Sequence, residues 1–75
     1  MENTKIIEAT ISTKTLRKDK FNRDYLILKL DNDEKIFVFP SQLNPAQWDY
    51  LTEGNNYQFT VKESSQGSNL LVDFK

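Results

Sequence analysis

The chain has 75 residues and a net charge of −1, and it contains neither cysteine nor histidine. The length fits one domain, and the missing residue types exclude disulfides, thiolate nucleophiles, zinc–thiolate sites and histidine-based acid–base chemistry. A chain with this overall charge is not a generic polyanion binder, so binding to phosphates has to rely on a local cluster of cations.

The first predicted strand covers residues 6–13, where Ile7, Ala9 and Ile11 share one face. A predicted loop over residues 14–24 follows. Its basic part, residues 14–23, has five cations and one carboxylate, a local charge of +4. The cations are Lys14, Arg17, Lys18, Lys20 and Arg23. Such a cluster either binds phosphates or is only a solvated loop.

Two further strands are predicted over residues 25–30 and 35–39, with a hairpin connection over 31–34. Pro40 ends the third strand because proline has no N–H to donate to a neighbour. The acidic connection superficially resembles a calcium loop, but Ile36 stands where such a loop requires glycine. A hairpin turn is therefore the better interpretation.

A short helix is predicted over residues 45–53. Asn44 is a favourable N-cap, and Pro45 fits the first helical position. Trp48 is spaced to pack on the leucine before the cap as a hydrophobic staple. Gly54 is expected to end the helix.

The last two strands are predicted over residues 57–62 and 70–74. A chain of this size must protect its sheet edges, and closure into a barrel does so. We therefore predict an all-β fold for residues 1–75 as a single domain. It is a small five-stranded OB-type barrel with one short helix between strands 3 and 4, and an SH3-like barrel is the alternative.

Three segments in the middle of the chain have a notable spacing. They are residues 24–28 (Asp-Tyr-Leu-Ile-Leu), 36–41 (Ile-Phe-Val-Phe-Pro-Ser) and 51–61 (Leu-Thr-Glu-Gly-Asn-Asn-Tyr-Gln-Phe-Thr-Val), followed by Gly67. Together they resemble the cold-shock domain, a nucleic-acid-binding OB fold with the motifs Gly-Phe-Gly-Phe-Ile, Val-Phe-Val-His-Phe-Ser and Leu-x-Glu-Gly-x-x-Val-x-Phe-x-Val. The resemblance runs without a gap from Tyr25 to Gly67, which is more than half of the chain.

The chain departs from this family pattern at several positions. Asp24 and Leu26 replace the two glycines of the first motif, and Ile27 replaces its second phenylalanine. Phe39 stands in place of the histidine of the second motif. The first strand also lacks a tryptophan, and the loop that follows it is longer.

The resemblance implies a ligand site on strands 2 and 3. Period-two alternation places Tyr25, Ile27 and Lys29 on one face of strand 2, and Phe37 and Phe39 on one face of strand 3. The two sets share a face only if the hairpin register permits it. An odd-length hairpin connection, such as residues 32–34, would place Lys29 opposite Phe37 and Ile27 opposite Phe39, all facing outward. An even-length connection would bury both phenylalanines with the leucines of strand 2.

We expect the outward arrangement, because the matching family positions have ligand-stacking side chains and the core is already supplied by other residues. The predicted core is Ile7, Ile11, Leu26, Leu28, Leu30, Ile36, Val38, Phe59 and Val61. Bases stack on exposed aromatic rings for about 1–3 kcal/mol each. Cations beside the rings bind phosphates without reading sequence.

The candidate nucleic-acid-binding residues are Lys14, Arg17, Lys18, Lys20, Phe21, Arg23, Tyr25, Lys29, Phe37, Phe39 and Trp48. Phe21 either adds a stacking surface or folds back as a hydrophobic anchor. Trp48 either packs the helix, which the staple spacing favours, or lies at the edge of the ligand site.

The expected function is binding of single-stranded RNA or DNA with low sequence specificity. No pair of carboxylates lies in an evident apolar setting, so we expect no enzyme activity, no cofactor and no metal. The alternative is a protein–protein interaction barrel, an adaptor or a self-associating domain, that uses the same aromatic face. Without a signal-like pattern or a membrane-length apolar run, the chain is expected to be cytoplasmic with no membrane partner. The choice between RNA and DNA and the oligomeric state stay open at this point.

Overall fold

The computed structural model describes residues 4–75, and these residues form a closed five-stranded β-barrel. The strands are β1 (Thr4–Lys18), β2 (Asp24–Leu30), β3 (Lys35–Val38), β4 (Asn56–Glu63) and β5 (Asn69–Phe74). Their order around the barrel is β1-β2-β3-β5-β4, with β3 and β5 parallel and the other neighbours antiparallel. The predicted all-β barrel is confirmed, and its strand order is compatible with an OB-like fold.

The barrel interior is filled by the apolar residues that alternate along each strand. All nine predicted core residues are buried. Ala9, Leu43, Trp48, Leu51 and Leu71 complete the core. No polar or charged residue is buried among residues 4–75, so every charged side chain of this part of the chain lies at the surface.

The first strand is longer than predicted, and the prediction of a loop over residues 14–24 is wrong. β1 continues through Lys18, so only residues 19–23 connect it to β2. Strand pairing uses backbone groups, and a basic sequence therefore continues a strand whenever a neighbour is available. Three of the five predicted loop cations, Lys14, Arg17 and Lys18, consequently lie on a strand.

β1 can serve two neighbours because it changes partner along its length. Residues 4–10 pair with β4, and the part from Ile11 onward pairs with β2. The register with β2 shifts between Ile11 and Thr13, which marks a bulge. Bulges bend a strand and increase its twist, as closing a small barrel requires.

The helix is a 3₁₀ helix over Pro45–Tyr50, shorter than the predicted range 45–53. The Asn44 side chain accepts a hydrogen bond from the Ala46 N–H at 2.9 Å, so the predicted N-cap is confirmed. Gly54, at φ +88°, lies in the turn before β4. The prediction that Gly54 ends the helix is therefore wrong. No helix within residues 4–75 is long and apolar enough to span a membrane.

Candidate nucleic-acid interface

The β2–β3 hairpin decides which way the strand 3 phenylalanines point. The Leu30 N–H donates to the Glu34 carbonyl at 2.9 Å, and the Asp33 N–H donates to the Leu30 carbonyl at 3.2 Å. Asp33 has a φ of +68°, which is left-handed. This is a three-residue loop, a turn followed by one left-handed residue that continues into the strand.

The loop has an odd length, as the expected outward arrangement requires, and its register differs by two residues from that of the example loop over residues 32–34. Ile27 lies opposite Phe37, and Lys29 lies opposite Lys35. The loop consists of residues 31–33, one position earlier than the example of 32–34, and the cross-strand partner of each residue therefore changes by two positions. A shift of two preserves the faces of the sheet, so Phe37 still lies on the outer side with Ile27 and Lys29.

Three aromatic rings form a continuous row on the outer face of β2 and β3, and we call them the aromatic platform: Tyr25, Phe37 and Phe39. The centroids of Tyr25 and Phe39 are 5.4 Å apart, and those of Phe37 and Phe39 are 6.4 Å apart. The ring planes are close to parallel, with an angle of 25° between Tyr25 and Phe39 and of 18° between Phe37 and Phe39. All three side chains are half-buried, so each packs on the sheet while leaving part of its ring accessible.

An open groove of about 440 Å³ lies over the aromatic platform. Asp19 lines it from the loop between β1 and β2, and Leu70 extends the apolar floor because β5 pairs with β3 at Phe37. The remaining wall is polar and comes from the β4–β5 loop: Ser64, Gln66 and Ser68. A second groove of about 390 Å³ shares Asp19 and Phe39 with the first and extends it to Ser41.

The wall of this groove was not predicted from the sequence. Leu70 and the β4–β5 loop are distant from β3 in the chain, and only the parallel pairing of β3 with β5 brings them together. Gly67, at φ +83°, allows the tight loop in which the Ser64 hydroxyl accepts the Ser68 N–H at 3.1 Å. The glycine-containing loop was the sole local signal.

The loop over residues 19–23 is organised by the Asp19 carboxylate. This carboxylate accepts backbone N–H groups of Phe21 and Arg23 at 2.8 and 2.9 Å and the Arg23 Nε at 3.2 Å. The Arg23 backbone N–H, with the Phe21 N–H and the guanidinium charge, holds the pKa of Asp19 below its usual value despite the opposing effect of desolvation.

Phe21 projects from this loop and lines neither groove over the platform. Its ring is exposed, with the Lys20 ammonium 5.2 Å and the Arg23 guanidinium 5.1 Å from the centroid. Both distances fit cation–π contacts. The alternative of a buried hydrophobic anchor is therefore wrong, and the ring is already covered by cations of its own loop.

Of the predicted cations, Arg23 alone lines a groove that adjoins the platform, and the others lie elsewhere. Lys14 donates from Nζ to the Trp48 carbonyl at 2.8 Å, beside the helix. Lys18 pairs with Asp24 at 3.6 Å, and the Arg23 guanidinium is engaged by Asp19. Arg17 and Lys29 lie instead in a smaller groove on the outer face of β1–β3, together with Lys35, which was not among the predicted site residues.

Trp48 belongs to the core and not to the ligand edge. It is 8% exposed, and its Nε1 donates to the Leu43 carbonyl at 3.1 Å. The predicted packing of Trp48 on Leu43 is confirmed. The aromatic platform therefore consists of strand residues alone.

Neither a known protein family nor a curated protein matches the chain. Within residues 4–75, no group of three or more acidic residues is arranged to hold a metal ion.

The candidate interface consists of an aromatic row, an open groove with a polar wall, and cations on the same sheet face.

Proposed function

We propose that the domain binds single-stranded RNA or DNA with low sequence specificity, through stacking of bases on the aromatic platform. The observation that carries this proposal is the row formed by Tyr25, Phe39 and Phe37 along an open groove. Bases stack on such rings for about 1–3 kcal/mol each, whatever their identity. In OB-type barrels, the face of strands 2 and 3 and the two adjacent loops bind oligonucleotides.

Two further features support this proposal. The groove has a wall of hydroxyl and amide groups, which can hydrogen-bond to bases of any type. Tyr25 and Phe37 also occupy the positions at which cold-shock domains have ligand-stacking aromatics, so we include a cold-shock-like relationship in the proposal. The proposal further includes that the domain acts by binding alone, without enzyme activity, and that it is located in the cytoplasm.

The test is fluorescence anisotropy with labelled single-stranded RNA and DNA and with a duplex of equal length. Tighter binding to the single strands supports the proposal. No binding to either form at low salt and protein concentrations of about 100 µM, the weak end of nonspecific affinity, refutes it. The label belongs on the oligonucleotide, because Trp48 lies in the core and away from the platform.

Salt dependence separates this proposal from a protein–protein interaction barrel that uses the same face. Three to five phosphate contacts give a log–log salt slope of about −2 to −3.5 for a single strand. An apolar protein interface is nearly insensitive to salt. A salt-independent self-association that Phe37→Ala abolishes, without oligonucleotide binding, identifies the interaction barrel.

A further inference from the structure

A group of cations lies on the outer face of β1, β2 and β3, next to the aromatic platform. We call Arg17, Lys29 and Lys35 the cationic patch; together with Thr13, Thr15 and Ile27 they line a groove of about 190 Å³. Lys29 and Lys35 are direct cross-strand partners. The groove has no acidic residue, in a chain whose net charge is −1.

The two lysines are placed where they oppose folding. Like charges directly opposite each other in an antiparallel pair are destabilising. Within residues 4–75, neither lysine nor Arg17 forms an ion pair or a side-chain hydrogen bond. An anionic ligand between the two strands would relieve this repulsion.

The cations of residues 14–23 differ in this respect. Lys18 is paired with Asp24, Arg23 is engaged by Asp19, and Lys14 is bonded to a carbonyl. Arg17 belongs to the cationic patch. Lys20 is the remaining cation of this segment, and its ammonium lies over the Phe21 ring. The patch therefore has the larger set of cations that are free to bind a ligand.

The cationic patch is continuous with the aromatic platform. Arg17 is the cross-strand partner of Tyr25, and Ile27 is the partner of Phe37. Lys29 lies four residues beyond Tyr25 on the same strand, about 13 Å away at the usual rise per residue. One ligand strand along β2 and β3 therefore reaches both surfaces.

We infer that the cationic patch is the phosphate-binding part of the single-strand site, and that the ligand backbone runs along β2 and β3 from the platform towards Lys29 and Lys35. This inference rests on the proposed function and specifies it. Bases stack on the rings, while phosphates of the adjoining nucleotides lie between the two lysines. Most of the salt dependence then comes from the patch and not from residues 18–23.

The experiment compares two double variants with equal loss of charge. Lys29→Gln with Lys35→Gln removes two cations of the patch, and Lys5→Gln with Lys75→Gln removes two exposed lysines that line none of the described grooves. Binding of a labelled single strand of about eight nucleotides, within the site size of an OB fold, is measured across a salt series. Circular dichroism confirms that both variants are folded.

The patch variant is expected to flatten the log–log salt slope by about 1.4, which corresponds to two phosphate contacts at about 0.7 each. The control is expected to flatten it by less than half as much. A dinucleotide, which covers the platform alone, should bind both variants alike. Tripolyphosphate, which has charge without bases, should bind the wild type much more weakly than the oligonucleotide does.

Three results would overturn the inference while leaving the proposed function intact. The patch variant keeps the wild-type slope, both variants flatten it equally, or tripolyphosphate binds as tightly as the oligonucleotide. In each case the wild type still prefers single strands and Phe37→Ala still weakens their binding. If the wild type binds no oligonucleotide at all, the proposed function fails first and this inference fails with it.

Discussion

Replacing Phe37 by alanine removes one end of the aromatic platform and leaves every cation in place. The lost stacking should weaken single-strand binding by about 1–3 kcal/mol. This corresponds to a factor of about 5 to 150 in Kd, since each 1.4 kcal/mol is tenfold. Because no phosphate contact changes, the salt slope should stay as in the wild type.

The effect on stability follows from how deeply the ring is buried. Fully burying a phenylalanine side chain contributes about 1.5–3 kcal/mol. Phe37 is only half-buried and open to a groove, so its removal should cost about half of that, roughly 1–1.5 kcal/mol. Phe59 is fully buried, at 0% exposure. Its replacement by alanine leaves a cavity and should cost about 3–5 kcal/mol.

Anisotropy titrations and thermal unfolding together measure both effects. Tyr50→Ala is the matched control, because Tyr50 is an exposed aromatic residue that lines none of the described grooves. Its affinity should equal that of the wild type. If Phe37→Ala destabilises the protein as much as Phe59→Ala does, the ring belongs to the core and the platform does not exist. An unchanged affinity in a folded Phe37→Ala variant would refute base stacking on this ring.

Three other predictions concern charge, pH and spectroscopy. Lys35→Glu should place a carboxylate opposite Lys29, which raises the free energy of unfolding by about 0.2–1 kcal/mol and weakens oligonucleotide binding. Thermal unfolding measures the first effect and anisotropy the second. A lowered Tm would contradict the cross-strand register. The Asp19 carboxyl has a lowered pKa in the folded state, so its contribution to stability is present above the usual pKa of an aspartate and is lost as the pH falls through the lower, folded-state pKa. An NMR titration of its side-chain carbon should have its midpoint below that of an aspartate in an unfolded peptide, and a midpoint at or above that of the peptide contradicts the hydrogen bonds that organise the loop. Trp48 emission should change on unfolding and not on oligonucleotide binding, and a large change on binding would place the ligand near the helix.

The sequence by itself determined most of the residues that fill the barrel and the order of its elements. Period-two alternation places Ile7, Ala9 and Ile11 on one face, because a strand turns every second side chain to the same side. Asn44 and Pro45 mark the helix start through contacts with residues next to them in the chain. These signals are local, so the order of strands and helix was predictable without knowledge of the fold.

The outward direction of the platform was expected from the family resemblance and from the supply of other core residues, because the chain itself allowed both an odd and an even hairpin length. Phe37 and Phe39 lie on the same face as Tyr25, Ile27 and Lys29 at any register that differs by an even number of residues, so every hairpin loop of odd length gives the outward arrangement. The partner of Phe37 was not predictable, because loops over residues 31–33 and 32–34 have the same length and differ only in where pairing starts. The left-handed conformation of Asp33 selects the first.

Only the tertiary structure decided the extent of β1 and the surroundings of the platform. Pairing with β2 continues β1 through Lys18, and the partner strand supplies hydrogen bonds that the basic sequence does not indicate. The parallel pairing of β3 with β5 brings Leu70 beside Phe37, although they are far apart in the chain. Likewise, the pairing of Lys18 with Asp24 and the opposition of Lys29 and Lys35 depend on register and on neighbouring strands. Charge composition therefore located a basic segment, and the fold determined which cations have no partner, because interactions between distant segments depend on geometry that no local pattern contains.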